Sequence, residues 1–143
     1  MKKHLIVVVD DEVEITDILS YHIKENKLAE VKEFNDPAEA LEFILGGAKV
    51  NIIVSDEMMP RMHGLELLHK CVAGGYDGDF FIFSACADDA MAYGLMTVEL
   101  ESKKEKLHSK TIQKGNYKEL LNEIRLALEL QNLESPFDLE EGA

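Results

Sequence analysis

Apolar residues in this chain come in short uninterrupted runs, set between longer stretches with helical spacing. Leu5-Ile6-Val7-Val8-Val9, Asn51-Ile52-Ile53-Val54-Ser55 and Phe80-Phe81-Ile82-Phe83 are rich in branched and aromatic residues. Runs of that length and composition predict strands buried on both faces, as in a parallel sheet. The first strand is expected over about residues 4–9, the third over Val50 to Ser55 and the fourth over Asp79 to Ser84. Weaker segments supply a second strand, Ala29 to Phe34, and a fifth, about Ser109 to Gln113.

Between the strands, apolar positions recur every three or four residues, the period of a helix. Ile15, Ile18, Leu19, His22 and Ile23 mark a first helix. Ala40, Leu41, Ile44 and Leu45 mark a second, and Leu65, Leu67, Leu68, Cys71 and Val72 a third. Asp36-Pro37-Ala38-Glu39 gives the second helix an N-cap, a proline at its first position and a glutamate at its third. Gly46-Gly47 and Gly74-Gly75 end the second and third helices, and Asp77-Gly78 marks the turn before the fourth strand. A fourth helix is expected from Asp88 to about Lys104. Asn116-Tyr117-Lys118-Glu119 reads as a capping box for a fifth, whose stripe is Leu120, Leu121, Ile124, Ala127 and Leu128.

Strand and helix alternate five times, which predicts an α/β fold: a five-stranded parallel sheet with helices on both faces. Right-handed crossovers leave few topologies. Order 2-1-3-4-5 is one of the two common doubly wound solutions, with its switch point between strands one and three. Ligands in such sheets collect at the carboxyl ends of the strands. Four of those ends carry useful chemistry here: Asp10-Asp11, Asp56, Ser84 and Lys114. Neighbouring strands lie about 4.8 Å apart, so Asp10, Asp11 and Asp56 are expected to share one small site.

Three clustered carboxylates repel one another unless a cation joins them. Oxygen ligands with room for water suit Mg²⁺. A carboxylate such as Asp56 can also act as a nucleophile and form an aspartyl phosphate. Phosphoryl transfer needs positioning and charge stabilisation, to which an ammonium (Lys114) and a hydroxyl donor (Ser84) contribute. Each residue alone has a blander reading: Asp11 as a cap of the first helix, Lys114 as a solvated lysine. Their joint fall on strand ends argues for a site.

Composition narrows the classes. The 143 residues fit one domain, and 46% hydrophobic residues suffice for a core. A net charge of −13 makes the chain a poor binder of nucleic acid. Cys71 and Cys86 lack metal or redox spacing and read as thiols of a reducing compartment. His63, His69 and His108 share no metal spacing. The first apolar run is too short for a signal peptide, and no stretch approaches a membrane span, so a soluble, cytoplasmic protein is expected. Residues 1–133 are expected to form the domain and 134–143 an acidic, mobile tail.

Val7-Val8-Val9-Asp10-Asp11-Glu12, Ile52-Ile53-Val54-Ser55-Asp56-Glu57-Met58-Met59-Pro60 with Gly64, and Phe83-Ser84-Ala85 resemble the receiver domain of two-component response regulators. The resemblance covers about residues 4–130 and implies a flavodoxin-like fold. It implies that Asp56 accepts a phosphoryl group from a sensor histidine kinase or phosphotransfer protein in an Mg²⁺-dependent reaction. Asp11, Asp56 and the Met58 backbone carbonyl would ligate the metal directly, and Asp10 through water. Ser84 would reposition towards the phosphoryl oxygens, Lys114 would pair with one, and Ala85 would leave the entrance open. Pro60 and Gly64 would shape the loop after the acceptor. Such a chain is a switch rather than a turnover enzyme: it catalyses only transfer to its own aspartate and slow hydrolysis. A stand-alone, chemotaxis-type regulator is expected, with output through a protein target or a homodimer at the fourth helix, fifth strand and fifth helix.

Two departures leave alternatives open. Receiver domains usually carry Lys-Pro at the fifth strand end, whereas Lys114 precedes Gly115; Lys110 is the other candidate for the site lysine. Thr111 stands where the family often has an aromatic switch residue. A pseudo-receiver, an interaction module without switching, is the alternative reading. A phosphohydrolase fits less well, because Met58 stands where such enzymes want a second acid. Met91, Tyr93, Leu95, Met96, Val98 and Leu100 make the fourth helix apolar on more than one face. It is therefore either fully buried or carries a docking face.

Overall fold

A computed structural model of the chain describes residues 3–102 and 109–134. Five strands alternate with five helices: β1 (Leu5–Val9), α1 (Val13–Glu25), β2 (Glu30–Phe34), α2 (Pro37–Leu45), β3 (Ile52–Ser55), α3 (Gly64–Ala73), β4 (Asp79–Ser84), α4 (Asp89–Glu101), β5 (Ser109–Gln113) and α5 (Tyr117–Glu134). All strand pairings are parallel, and the sheet order is β2-β1-β3-β4-β5. The fold is the doubly wound, flavodoxin-like one expected.

Alternate residues of the central strands feed two cores. Val7, Val9, Ile53, Phe80 and Ile82 face α2, α3 and α4. Ile6, Val8, Ile52, Val54, Phe81 and Phe83 face α1 and α5. This is why β1, β3 and β4 read as unbroken apolar runs: both faces of each strand are covered. β2, at the sheet edge, is mostly exposed and its sequence Glu-Val-Lys-Glu-Phe is correspondingly polar.

Local signals operate as the sequence implies. Asp36 caps α2 by accepting from the Ala38 N–H at 3.0 Å, with Pro37 at the first helical position. At α5, Asn116 Oδ1 accepts from the Glu119 N–H at 3.3 Å; Glu119 returns to the Asn116 side-chain amide at 2.8 Å, not to its backbone. β3 begins at Ile52 rather than Val50, yet the Asn51 N–H still reaches the Leu5 carbonyl at 2.9 Å.

Two expectations are corrected, and one of two open alternatives is closed. α1 buries Thr16, Leu19, Ser20 and Ile23, while Ile18 is exposed; the helix face is turned so that small polar residues fit against the sheet. α4 ends at Glu101 because Ser102 is extended (φ −70°, ψ 141°), and Lys104 lies outside the described residues. α4 is also not a fully buried helix: Leu95 and Val98 are buried, but Tyr93, Met96 and Leu100 are 67%, 49% and 82% exposed. Only the side packed on α3 and β5 is covered. The expected tail from residue 134 lies outside the described residues apart from the last residue of α5.

Candidate functional site

The sheet register assembles the site. β1 and β3 pair with Val9 opposite Ser55, so Asp10 and Asp56 leave the sheet side by side. The Asp56 N–H donates to the Val9 carbonyl at 2.9 Å, and the Asp10 N–H to the Phe34 carbonyl at 3.1 Å. Asp10 and Asp56 are 1% and 7% exposed, whereas Asp11 faces solvent. One carboxylate oxygen from each of the three lies within 4.8 Å of the others. No other group of three or more such side chains could hold a metal ion among the described residues.

Asp11 does not cap α1. The N-cap is Glu12, whose side chain makes no capping bond, and the Glu12 N–H goes to Asp10 Oδ1 at 2.9 Å. Asp10 is thus bound at one oxygen by the entrance to α1 and at the other by Lys114, which leaves Asp11 available.

β5 places the two candidate lysines far apart in role. Lys110 lies opposite Phe81 in mid-strand and pairs with Glu119 (3.2 Å) and Glu123 (3.4 Å) on α5. Lys114 follows the strand end, where its N–H donates to the Ser84 carbonyl at 2.9 Å. Its Nζ stands 2.8 Å from Asp10 Oδ2 and 3.2 Å from Asp56 Oδ2. The turn after it closes by the Asn116 N–H to the Gln113 carbonyl at 3.0 Å, with Gly115 at φ 98°. Proline's fixed φ could not take that place, so the local Lys-Gly builds its own turn.

Burial dominates the electrostatics. It raises the Asp10 carboxyl above the usual 3.8, and with the neighbouring Asp56 charge it outweighs the lowering by Lys114 and by the Glu12 N–H. Burial also pulls on the Lys114 ammonium in the downward direction, but Asp10 and Asp56 together outweigh it and the net shift is up. Ser84 is buried; its Oγ accepts from the Cys86 N–H at 3.3 Å and makes no bond to the carboxylates among the described residues. A cation fits here: three hard oxygen donors, two of them already compensated by an ammonium, form a donor set suited to Mg²⁺.

Glu57 was not singled out by the sequence, yet it is buried beside Asp56. Its N–H donates to Asp56 Oδ1 at 2.8 Å, and its Oε1 accepts from the Leu65 N–H at 2.7 Å. Burial raises its carboxyl above 4.5. The available signal was indirect: α3 follows His63 rather than a capping residue. Gly64 packs directly on the chain at the end of β3, where a Cβ would collide with the Asp56 carbonyl oxygen. Met58 exposes its side chain, and Pro60 precedes Arg61, which is held at φ 71° and pairs with Asp36 at 3.2 Å.

The remaining candidates lie elsewhere. His63 is 3.6 Å from Glu57 and His69 2.9 Å from Glu101; His108 falls outside the described residues. Cys71 is buried, which pushes its thiol up to about 12, and Cys86 is exposed. No helix among the described residues is long and apolar enough to cross a membrane.

Residues 6–114 match the response regulator receiver domain. Among curated proteins, none matches the chain in sequence. Solved structures share its fold. A CheY-like response regulator receiver domain protein from Methanospirillum hungatei superposes with a TM-score of 0.77 at 24% identity, covering 93% of this chain and 99% of that one. The signal receiver domain of a putative Luxo repressor protein from Vibrio parahaemolyticus gives 0.78 at 20% identity, covering 99% and 100%. The receiver domain of an HD domain-containing protein from Pseudomonas fluorescens gives 0.75 at 20%, covering 92% and 98%.

Proposed function

Because the chain belongs to the response regulator receiver domain family, we propose that it is a phosphorylatable switch with Asp56 as the acceptor. The single observation that supports this reading is the meeting of three carboxylates within 4.8 Å, with Lys114 in contact with two of them. Asp56 is buried, anchored at its backbone to Val9 and at Oδ1 to Glu57, which leaves Oδ2 on the Lys114 side. Asp56 would form the O–P bond as the P–N bond of a sensor kinase's phosphohistidine breaks, the imidazole nitrogen keeping the electron pair. A phosphotransfer protein could serve as the same kind of donor.

Asp11, Asp56 and the Met58 carbonyl would hold Mg²⁺ directly, and Asp10 would hold it through water. When bound, Mg²⁺ supplies neutralisation of charge on the transferring oxygens. Lys114 exchanges its bond to Asp56 for one to a phosphoryl oxygen, and it keeps Asp10 as its anchor. Ser84 turns its hydroxyl from the Cys86 N–H towards a second phosphoryl oxygen. Because Lys114 and Ser84 join β4 and β5 through the Lys114 N–H, their movement reaches the α4–β5 side of the sheet.

Output is by protein contact through α4, β5 and α5, to a downstream target or a second copy of the chain. A groove of about 570 Å³ lies there, lined by Tyr93, Met96, Lys110 and Thr111 among others. Thr111 and Gly115 favour a second reading, an interaction module that does not switch, since neither is the residue the family usually carries at its place. The test is intact mass after acetyl phosphate and Mg²⁺. Wild type gains the mass of one phosphoryl group and Asp56→Asn does not; an equal gain in both would sink the assignment.

A further inference from the structure

The helix that follows the acceptor loop begins without a cap of its own. His63 occupies the N-cap of α3 with φ −74° and ψ 160°, and its side chain makes no capping bond. A helix N-terminus leaves N–H groups that Ser, Thr, Asp or Asn at this position would ordinarily satisfy. Here the acceptor comes from the end of β3 instead: Glu57 Oε1 lies 2.7 Å from the Leu65 N–H.

The backbone of Glu57 is committed as fully as its side chain. Its N–H donates to Asp56 Oδ1 at 2.8 Å. Its carbonyl accepts from the Met59 N–H at 3.1 Å and the Gly64 N–H at 3.0 Å. One residue therefore touches the acceptor carboxylate, both flanks of the loop that carries Met58, and the first turn of α3. Glu57 is only 7% exposed. Burying a carboxylate costs free energy that an apolar residue at this point would avoid, and a helix N-terminus is among the few local features that offset it. A helix that needed only a cap would obtain it at lower cost from Ser, Thr, Asp or Asn at position 63.

We propose that Glu57 is a positioning residue: by capping α3 from the strand side, it fixes the loop that sets the Met58 carbonyl beside Asp56, and so sets Mg²⁺ affinity. This rests on the reading of Asp56 as acceptor and of the Met58 carbonyl as metal ligand. Glu57 touches neither the metal nor the phosphoryl group; it acts through the loop. Removal of the carboxylate frees the Leu65 N–H and loosens the loop between its two ends.

The test uses three variants of the full chain, each measured for Mg²⁺ affinity by calorimetry, for phosphorylation by acetyl phosphate, and for melting temperature. Glu57→Ala is expected to bind Mg²⁺ about tenfold more weakly, the usual scale for loss of a residue that orients a metal ligand. Glu57→Gln keeps an oxygen facing the Leu65 N–H and recovers most of that loss. The double variant Glu57→Ala with His63→Asp gives α3 a local cap; it regains the melting temperature but not the Mg²⁺ affinity. Recovery of both in the double variant would reduce Glu57 to a cap and overturn the proposal. So would wild-type Mg²⁺ affinity in Glu57→Ala, or a Gln variant no better than the Ala one. If wild type itself neither binds Mg²⁺ nor takes up a phosphoryl group, the functional reading fails first and this inference falls with it.

Discussion

Lys114 Nζ lies 2.8 Å from Asp10 Oδ2, joining the end of β5 to the end of β1, although β3 and β4 separate those strands in the sheet. The same ammonium is 3.2 Å from Asp56. The lysine is therefore the internal counter-ion of the acidic cluster, and in the proposed function it is also the group that meets a phosphoryl oxygen.

Loss of Lys114 removes both roles at once, and loss of Lys110 neither. Lys114→Met is expected to slow phosphorylation by acetyl phosphate about a hundredfold, the scale for loss of one preorganised charge-stabilising donor. Lys110→Met, which removes only exposed pairs with Glu119 and Glu123, should leave the rate near wild type. Time courses of intact mass decide the matter. A slow Lys110 variant beside a normal Lys114 variant would reassign the lysine.

Mg²⁺ should raise the melting temperature. A ligand that binds only the folded chain stabilises it by about 2.7 kcal/mol at a hundred times its dissociation constant. Asp11 is exposed and makes no capping bond at α1, so Asp11→Asn should fold normally yet lose most of this Mg²⁺-dependent shift. A thermal melt with Mg²⁺ and with chelator checks it. An undiminished shift in the variant would place the ion elsewhere.

The pH dependence of the metal-free protein follows from burial. Burial raises the carboxyls of Asp10 and Glu57 above 3.8 and 4.5, their ordinary values. The folded chain then binds protons more readily than the unfolded chain. Each group's contribution to stability is complete below the ordinary value and is lost as pH rises through the raised one. Acidification from neutral into that window should therefore stabilise the protein in chelator. Asp10→Asn should show a shallower rise in denaturant titrations; an unchanged slope would remove Asp10 as its source.

Gly64 has no space for a side chain, because a Cβ there meets the carbonyl oxygen of Asp56 and, at 3.1 Å, Ile82 Cδ1. Backbone cannot yield as a flexible side chain does. Gly64→Ala should cost about 2 kcal/mol of stability and weaken Mg²⁺ binding with it, since the strain falls on Asp56. Gly47→Ala is the contrast: its φ of 104° strains the backbone, but a Cβ meets nothing within 4 Å and the site is untouched. Equal Mg²⁺ affinities in the two variants would deny the link between Gly64 and Asp56.

The sheet was legible because β1, β3 and β4 are apolar on both faces, and their register alone brings Asp10 and Asp56 together. The choice between Lys110 and Lys114 was not, since it depends on which residue follows the last rung of β5, and that rung is Gln113 opposite Ser84. The covered side of α4 was equally hidden. Its apolar residues surround the helix, and close packing, such as Gly94 against Leu65, decides which of them are buried. Glu57 escaped notice because its partner is a backbone N–H eight positions on, a contact with no periodicity to announce it.

The most direct measurement is a backbone NMR titration with Mg²⁺, with and without beryllofluoride as a phosphoryl mimic. The expected result is a modest response to Mg²⁺ alone at Asp10, Asp11 and Met58. A larger one is expected with both, reaching Ser84, Lys114 and the α4–β5 face, and it should be absent in Asp56→Asn. A spectrum that responds to Mg²⁺ but is indifferent to beryllofluoride would contradict the switch and leave an interaction module in its place.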